Sequence, residues 1–417
     1  MPGYFTSPRH DRLRAHVRAW AETEVRPQIA ALEASKTVDG ELIRRIAREG
    51  WIGVTIDENY DGMGLGHVAR VVLIEELSRI CGAVGAAAQA SILGAAKIIH
   101  FGNEVQRRTW LPQIARGECL PTIAVTERES GGNVLDMHTT AVRDGDEYIL
   151  NGRKVFVGNS HVGDLHGVVA RTGEEGSKAL SAFLVEASSP GVRLVPHSPA
   201  VGLHGFSFGE IVFTDCRVPA GNLLGVEGDG LAVAYSSSVV YGRLNLAAVA
   251  LGLHRAMLEV TTGYASSQQR NGEPLADLGV ITERIGTIES RLMTAELTCY
   301  HAAHLLDRGM GCDRELMNAN LRGTEYVLAS ADDAMKVHAA AGLFPGREVE
   351  RLWRDARCLW PPAGTSDIQT LRLASYALGR EDRHWSQRLA DSAGGSGGEA
   401  AGVQVEAEDV RGGVLIV

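Results

Sequence analysis

The chain has 417 residues, enough for two or three structural units around a large buried core, and its 45% hydrophobic and 22% charged residues fit a soluble globular protein. A formal net charge of -10 argues against nucleic acid or an anionic membrane as the main partner, but leaves room for a local basic pocket around a phosphorylated cofactor. Six scattered cysteines without a C-x-x-C pair, and a start lacking the basic-then-apolar run of a secretory signal, lead us to expect a reducing cytoplasm.

Residues 8–117 carry helical periodicity, interrupted at 57–66 by a turn-rich stretch with glycines at 62, 64 and 66. No parallel-strand unit surrounds those glycines, so they read as a tight surface loop rather than a dinucleotide loop. The apolar stretches 84–99 and 231–253 are broken by Gln89 and Arg243 and read as buried helices, not membrane spans. From 122 to 223 the period changes: short β-branched or aromatic segments such as Lys154-Val155-Phe156-Val157 and Ala182-Phe183-Leu184-Val185 lie between turn residues, as in a small antiparallel β-domain. Residues 231–378 are helical again and long enough for a bundle. The expected units are 1–120, 121–225, 226–380 and a flexible tail at 381–417. Within that tail, 392–398 reads as a linker, and the apolar 414–417 as a docking strand or a plain end.

Several short motifs follow one another in a fixed order. They are Phe101-Gly102-Asn103-Glu104-Val105-Gln106, Ala124-Val125-Thr126-Glu127, Asn151-Gly152-Arg153-Lys154, Phe213-Thr214-Asp215-Cys216-Arg217-Val218-Pro219, and a closing Arg354-Asp355-Ala356-Arg357 followed by Gly364-Thr365-Ser366-Asp367-Ile368-Gln369. In that order they resemble the acyl-CoA dehydrogenase family over residues 8–380. The resemblance implies a mostly α fold: an N-terminal helical domain, a central β-barrel and a C-terminal four-helix bundle. It also implies FAD between barrel and bundle, an acyl-CoA or acyl carrier protein thioester against the flavin, an unspecified electron acceptor, and a homodimer or homotetramer.

Residue by residue, the resemblance assigns flavin contacts to Thr126, Phe156, Gly158, Gln268, Arg270, Lys336, Thr365 and Asp367, and a substrate contact to Arg243. Dehydrogenation of a thioester also needs a base for the α-proton. The family places it before G-T-S or before an arginine early in the bundle. Here those positions are Ala363 and Gly242, and neither can accept a proton. Tyr241 is the nearest stand-in, with a phenol whose ordinary pKa of ~10 would need strong tuning. Other contacts are altered too: Gly158 lacks the hydroxyl expected near flavin N5, Gln268 and Asn271 replace an arginine and a phenylalanine, Gly279 replaces a glutamine, and Ala339-Ala340 replace paired glycines.

Plainer readings stand beside these. Arg243 fits either substrate-side electrostatics or an internal ion pair; Thr126 and Thr365 fit flavin contacts or caps; Lys336 fits a phosphate partner or a solvated helix residue; His301 and His304 lack a third ligand and fit a helix surface. The first functional expectation is a FAD-dependent oxidoreductase on an acyl thioester with an atypical base. The alternatives are a flavin monooxygenase on the same fold and a non-redox acyl-binding or dimer-partner protein.

Overall fold

In the computed structural model, residues 2–174, 176–380 and 385–387 are described. The apolar end at 414–417 and the linker at 392–398 lie outside them. The N-terminal unit holds α1 (Pro8–Glu24), α2 (Ile29–Ser35), α3 (Gly40–Arg48), α4 (Gly66–Ile80), α5 (Gly82–Phe101) and α6 (Glu104–Ala115). Small residues let α5 pack closely: Gly94 approaches the backbone of Pro121 and Gly85 the side chain of Ser78, so near that a Cβ would clash at either position. By length and composition α5 could cross a membrane, but 89% of its apolar window is buried inside the protein, as for a core helix. The Asn103–Gln106 pair of the first motif forms a capping box on α6, and Gln106 Nε2 also donates to Gly221 O and Leu223 O. That motif therefore ties the first unit to the second.

The middle unit comprises β1 (Pro121–Ala124), β2 (Thr140–Asp144), β3 (Glu147–Gly158), β4 (Leu165–Arg171), β5 (Leu180–Glu186), β6 (Val192–Leu194), β7 (Phe208–Pro219) and β8 (Leu223–Leu224). They form one sheet in the order β6-β7-β3-β2-β4-β5-β8, with β1 beside β4. Two expectations need correction. The sheet is not a closed barrel: its end strands, of three and two residues, do not pair with each other and are too short to seal it. Nor is it purely antiparallel, because β1 and β2 each meet β4 in parallel. Curvature comes from the long β3–β7 pair, whose register shifts between Leu150 and Gly152 and again between Lys154 and Val157. The curved sheet encloses its own core of Tyr148, Leu150, Val168, Phe183, Ile211 and Phe213.

The last unit runs through α7 (Gly230–Ser236), a π-helical turn (Ser237–Gly242), α8 (Arg243–Ser267), a small hairpin of β9 (Gln269–Arg270) and β10 (Glu273–Pro274), α9 (Gly279–Asp307), α10 (Asp313–His338), α11 (Glu348–Arg357) and α12 (Ser366–Ala377). α8 is buried along most of its length, as its continuous apolar run requires, and packs on α4, α9 and α10. The R-D-A-R motif ties this unit to the other two: Asp355 accepts from Leu203 N in the loop between β6 and β7, and Arg354 pairs with Glu33 of α2 as well as with Glu350 of its own helix. Gly202 lies against the backbone of Arg354, where a Cβ would sit 2.5 Å from a carbonyl carbon. The segment expected to be flexible from 381 onward is anchored at 385–387. Trp385 stacks on Tyr235 at 5.5 Å, and Asp313 accepts from Trp385 N, Ser386 N and Ser386 Oγ.

Candidate active site

Two elements meet around the position where the base is expected. The loop 361–365 brings Ala363 with φ 57° and Gly364 with φ 93°, both left-handed. Gln369, one turn into α12, donates through Nε2 to Ala363 O at 2.8 Å and Gly364 O at 3.1 Å and so fixes the loop. The π-turn brings Gly242, where a Cβ would stand 3.2 Å from that of Ala363. At the end of β3, Gly158 sits so that a Cβ would meet Ala90 of α5 and Phe206, both at 3.1 Å.

The register shift at Lys154/Val157 puts Phe156 at φ 55° and turns its ring outward, leaving it 71% exposed. Holding an exposed aromatic in a left-handed bulge costs about 1–3 kcal/mol, a strain characteristic of ligand sites. Thr126 lies next to the bulge, its carbonyl accepting from Val155 N at 2.8 Å. The turn after it is built by a buried ion pair. Lys154 Nζ reaches Glu127 Oε1 at 2.7 Å, and Glu127 also accepts from His138 N and Thr139 N. Burial pushes the Glu127 carboxyl up, but Lys154 and these hydrogen bonds outweigh it and hold it below the ordinary value. Glu127 is thus a structural carboxylate. Thr365 is the N-cap residue of α12 without a side-chain cap bond, and Asp367 is exposed in that helix's first turn.

Arg243, next to Gly242, is 1% exposed, and its Nε and Nη1 are buried without a hydrogen-bond partner. Burial lowers its pKa to about 10, with Asp313 the main opposing influence, so it stays cationic. No ion pair within 4 Å is made by Arg243 among the described residues. Tyr241 is fully buried, and burial pushes its phenol further above the ordinary value despite the nearby Arg70. That burial works against a proton-accepting role and suits the plainer reading of Tyr241 as a core tyrosine.

The remaining predicted contacts do not join this site. Gln268 and Arg270 are exposed beyond the far end of α8, and that helix's 25 residues span about 37 Å. Lys336 is exposed and paired with Asp333 at 3.4 Å. Gln268, Tyr264, His338, Ala341 and Arg347 line a cavity of about 570 Å³ at that end, and Tyr264 stacks on His338 at 4.1 Å. Ala339 follows at φ 49°, a left-handed conformation that a glycine would adopt without strain. His301 and His304 pack against Phe5, and no group of metal-ligating side chains exists among the described residues. Sequence reasoning missed Arg70, whose only signal is one arginine inside the apolar run Val68-Ala69-Arg70-Val71-Val72.

The pieces suit a flavin ring: an outward aromatic on a strained bulge with a threonine beside it, and a loop fixed in a left-handed conformation before a second threonine. Family comparison agrees. Residues 7–118 match the acyl-CoA dehydrogenase N-terminal domain, 122–216 the middle domain and 228–378 the C-terminal domain. The chain is 34% identical over 369 residues to an acyl-CoA dehydrogenase of Bacillus subtilis, covering 88% of this chain and 97% of that one. Among solved structures it is similar to an acyl-CoA dehydrogenase complexed with FAD from Bacillus anthracis (TM-score 0.85, 27% identity, covering 90% of this chain and 67% of that one). It is also similar to the prolyl acyl carrier protein oxidase AnaB (TM-score 0.84, 27% identity, covering 89% and 99%). The chain belongs to the acyl-CoA dehydrogenase family, as a flavoprotein oxidoreductase that uses FAD.

Proposed function

We propose that the protein carries out redox chemistry on the acyl group of a thioester, borne by coenzyme A or an acyl carrier protein, without a carboxylate base. The observation that carries this reading is the retention of the base-bearing loop. Gln369 holds residues 363 and 364 in their left-handed conformation although residue 363 ends in a methyl. Bound FAD supplies the two-electron acceptor and donor. Phe156 would flank the ring, Thr126 and Thr365 would contact it, and the buried Arg243 charge would favour electron density developing on the thioester. With a methyl at 363 and hydrogen at 242, exchange of the α-proton is left to solvent, which costs ~10²–10⁴-fold in rate.

The distal residues Gln268, Arg270 and Lys336 serve, in this reading, a cofactor held by a neighbouring copy, since about 37 Å of helix separates them from their own flavin site. That supports a homodimer or a homotetramer. A second reading, oxygen-dependent monooxygenation, draws on Gly158, which offers no hydroxyl to the ring.

The deciding experiment is anaerobic addition of short acyl thioesters, on both carriers, to the FAD-loaded protein while the visible spectrum is recorded. Bleaching of the flavin supports dehydrogenation. Failure of every thioester to perturb the spectrum removes the thioester reading, and oxygen incorporation driven by an external reductant replaces it with the monooxygenase.

A further inference from the structure

Beneath the π-turn lies a group of buried polar side chains that the site above does not use. Arg70 projects from α4, is wholly buried, and stands 4.1 Å over the ring of Tyr241. Its Nη2 donates to Val240 O at 3.1 Å, whereas Nε and Nη1 are buried with no partner. No carboxylate lies within 4 Å of it among the described residues. Asp307, the acid with most influence on it, is engaged by the backbone N–H groups of His67 and Val68. His67 and His100 stand edge-on to the same ring at 5.5 and 5.8 Å, and each keeps a buried nitrogen, His67 Nδ1 and His100 Nε2, without a partner. Four unpartnered nitrogens thus surround one tyrosine.

A cation–π contact and one carbonyl do not balance a buried guanidinium, whose removal from water costs several kcal/mol unless an anion and further hydrogen bonds complete it. Position supplies the rest. Val240 and Tyr241 belong to the turn that ends at Gly242, beside Ala363. Arg70 therefore lies within about 10 Å of the reacting centre, roughly the reach of a four- to six-carbon acyl group.

We propose that Arg70 closes the far end of the acyl site and binds a distal carboxylate, so that the substrate is a thioester of a dicarboxylic acid. Arg70 would donate to the carboxylate through Nε and Nη1, with His67 and His100, kept neutral by burial, adding N–H donors and no competing charge. The inference rests on the thioester reading above.

The test compares matched acyl groups, succinyl with butyryl and adipoyl with hexanoyl, on coenzyme A and on acyl carrier protein, by perturbation of the flavin spectrum of the FAD-loaded protein. The dicarboxylic member of at least one pair is expected to bind 10-fold or more tightly, and Arg70→Met to abolish that preference while leaving monocarboxylic binding in place. Equal or tighter binding of the monocarboxylic members by the wild-type protein overturns the inference alone, and needs no variant to fold. If no thioester of either kind perturbs the flavin, the thioester reading falls and takes this one with it. Perturbation by free succinate as strong as that by succinyl thioester would place the anion site apart from the acyl site, and equally overturns the assignment.

Discussion

Gly242 and Ala363 face one another so closely that a Cβ on the first would lie 3.2 Å from that of the second. One belongs to a π-helical turn and the other to a left-handed loop, 121 positions on in the chain (363 less 242), yet both side-chain directions converge on one place. A carboxylate carried by either residue would enter the same space. Both positions are minimal here, while the backbone that aims them is intact.

Refilling that place should therefore restore proton abstraction. Ala363→Glu adds little backbone strain, because Ala363 already occupies the left-handed region and Gly242 leaves room opposite. Anaerobic flavin reduction by an acyl thioester is expected to rise ~10²–10⁴-fold. An unchanged rate in a variant that retains FAD would show that the loop does not present residue 363 to substrate.

Gln369→Leu removes the donor to two carbonyls of the loop and is expected to lower stability by about 1–3 kcal/mol. In the Ala363→Glu background it should also cancel most of the gain in rate, since the carboxylate would no longer be held in place. Retention of the full gain would show that Gln369 is dispensable for aiming the loop.

Gly158→Ser restores the missing hydroxyl, but its Cβ would meet Ala90 and Phe206 at 3.1 Å. The single substitution should reduce FAD occupancy and lower the melting temperature by several degrees, whereas Ala90→Gly with Gly158→Ser should recover part of both losses. Full occupancy in the single variant would show that Ala90 and Phe206 yield freely.

Much of this was legible beforehand, because change of hydrophobic period marks the three units and motif order marks the family. Openness of the sheet was not, since closure depends on the lengths of β6 and β8 rather than on alternation within any strand. The motifs named Gln268 and Lys336 as contacts of one cofactor, but no linear signal shows that the whole of α8 separates Gln268 from Gly242. Arg70 escaped notice because a single arginine on an apolar helix looks like an exposed residue until its burial is seen.

Burial holds the imidazoles of His100, His166 and His338 at a pKa of about 4 and that of His254 at about 3, against an ordinary value of 6.5. Each folded-state value is depressed for a base, so below about pH 6.5 the unfolded chain binds protons that the native state refuses. Stability accordingly falls as pH drops from 6.5 toward 4, by up to about 3 kcal/mol per group at the low end. Urea midpoints measured across this range should decline steadily, and His166→Gln should flatten the slope. A constant midpoint between pH 6.5 and 5 would count against this account.

Trp385 and Ser386 fasten the chain's last described segment to the bundle end that also holds Arg243. Asp313, which accepts from both residues, is the acid with most influence on the Arg243 charge, and Tyr235, on which Trp385 stacks, acts on it as well. Trp385→Ala should lower stability by about 1–3 kcal/mol through lost ring contact. Truncation after Arg380 should do the same and also admit water to the surroundings of Arg243, weakening its field on the thioester. Thioester binding would then become more sensitive to ionic strength than in the full chain, because water around the charge brings screening with it. Identical salt dependence in the truncated and full-length proteins would leave the docked segment a role in stability alone.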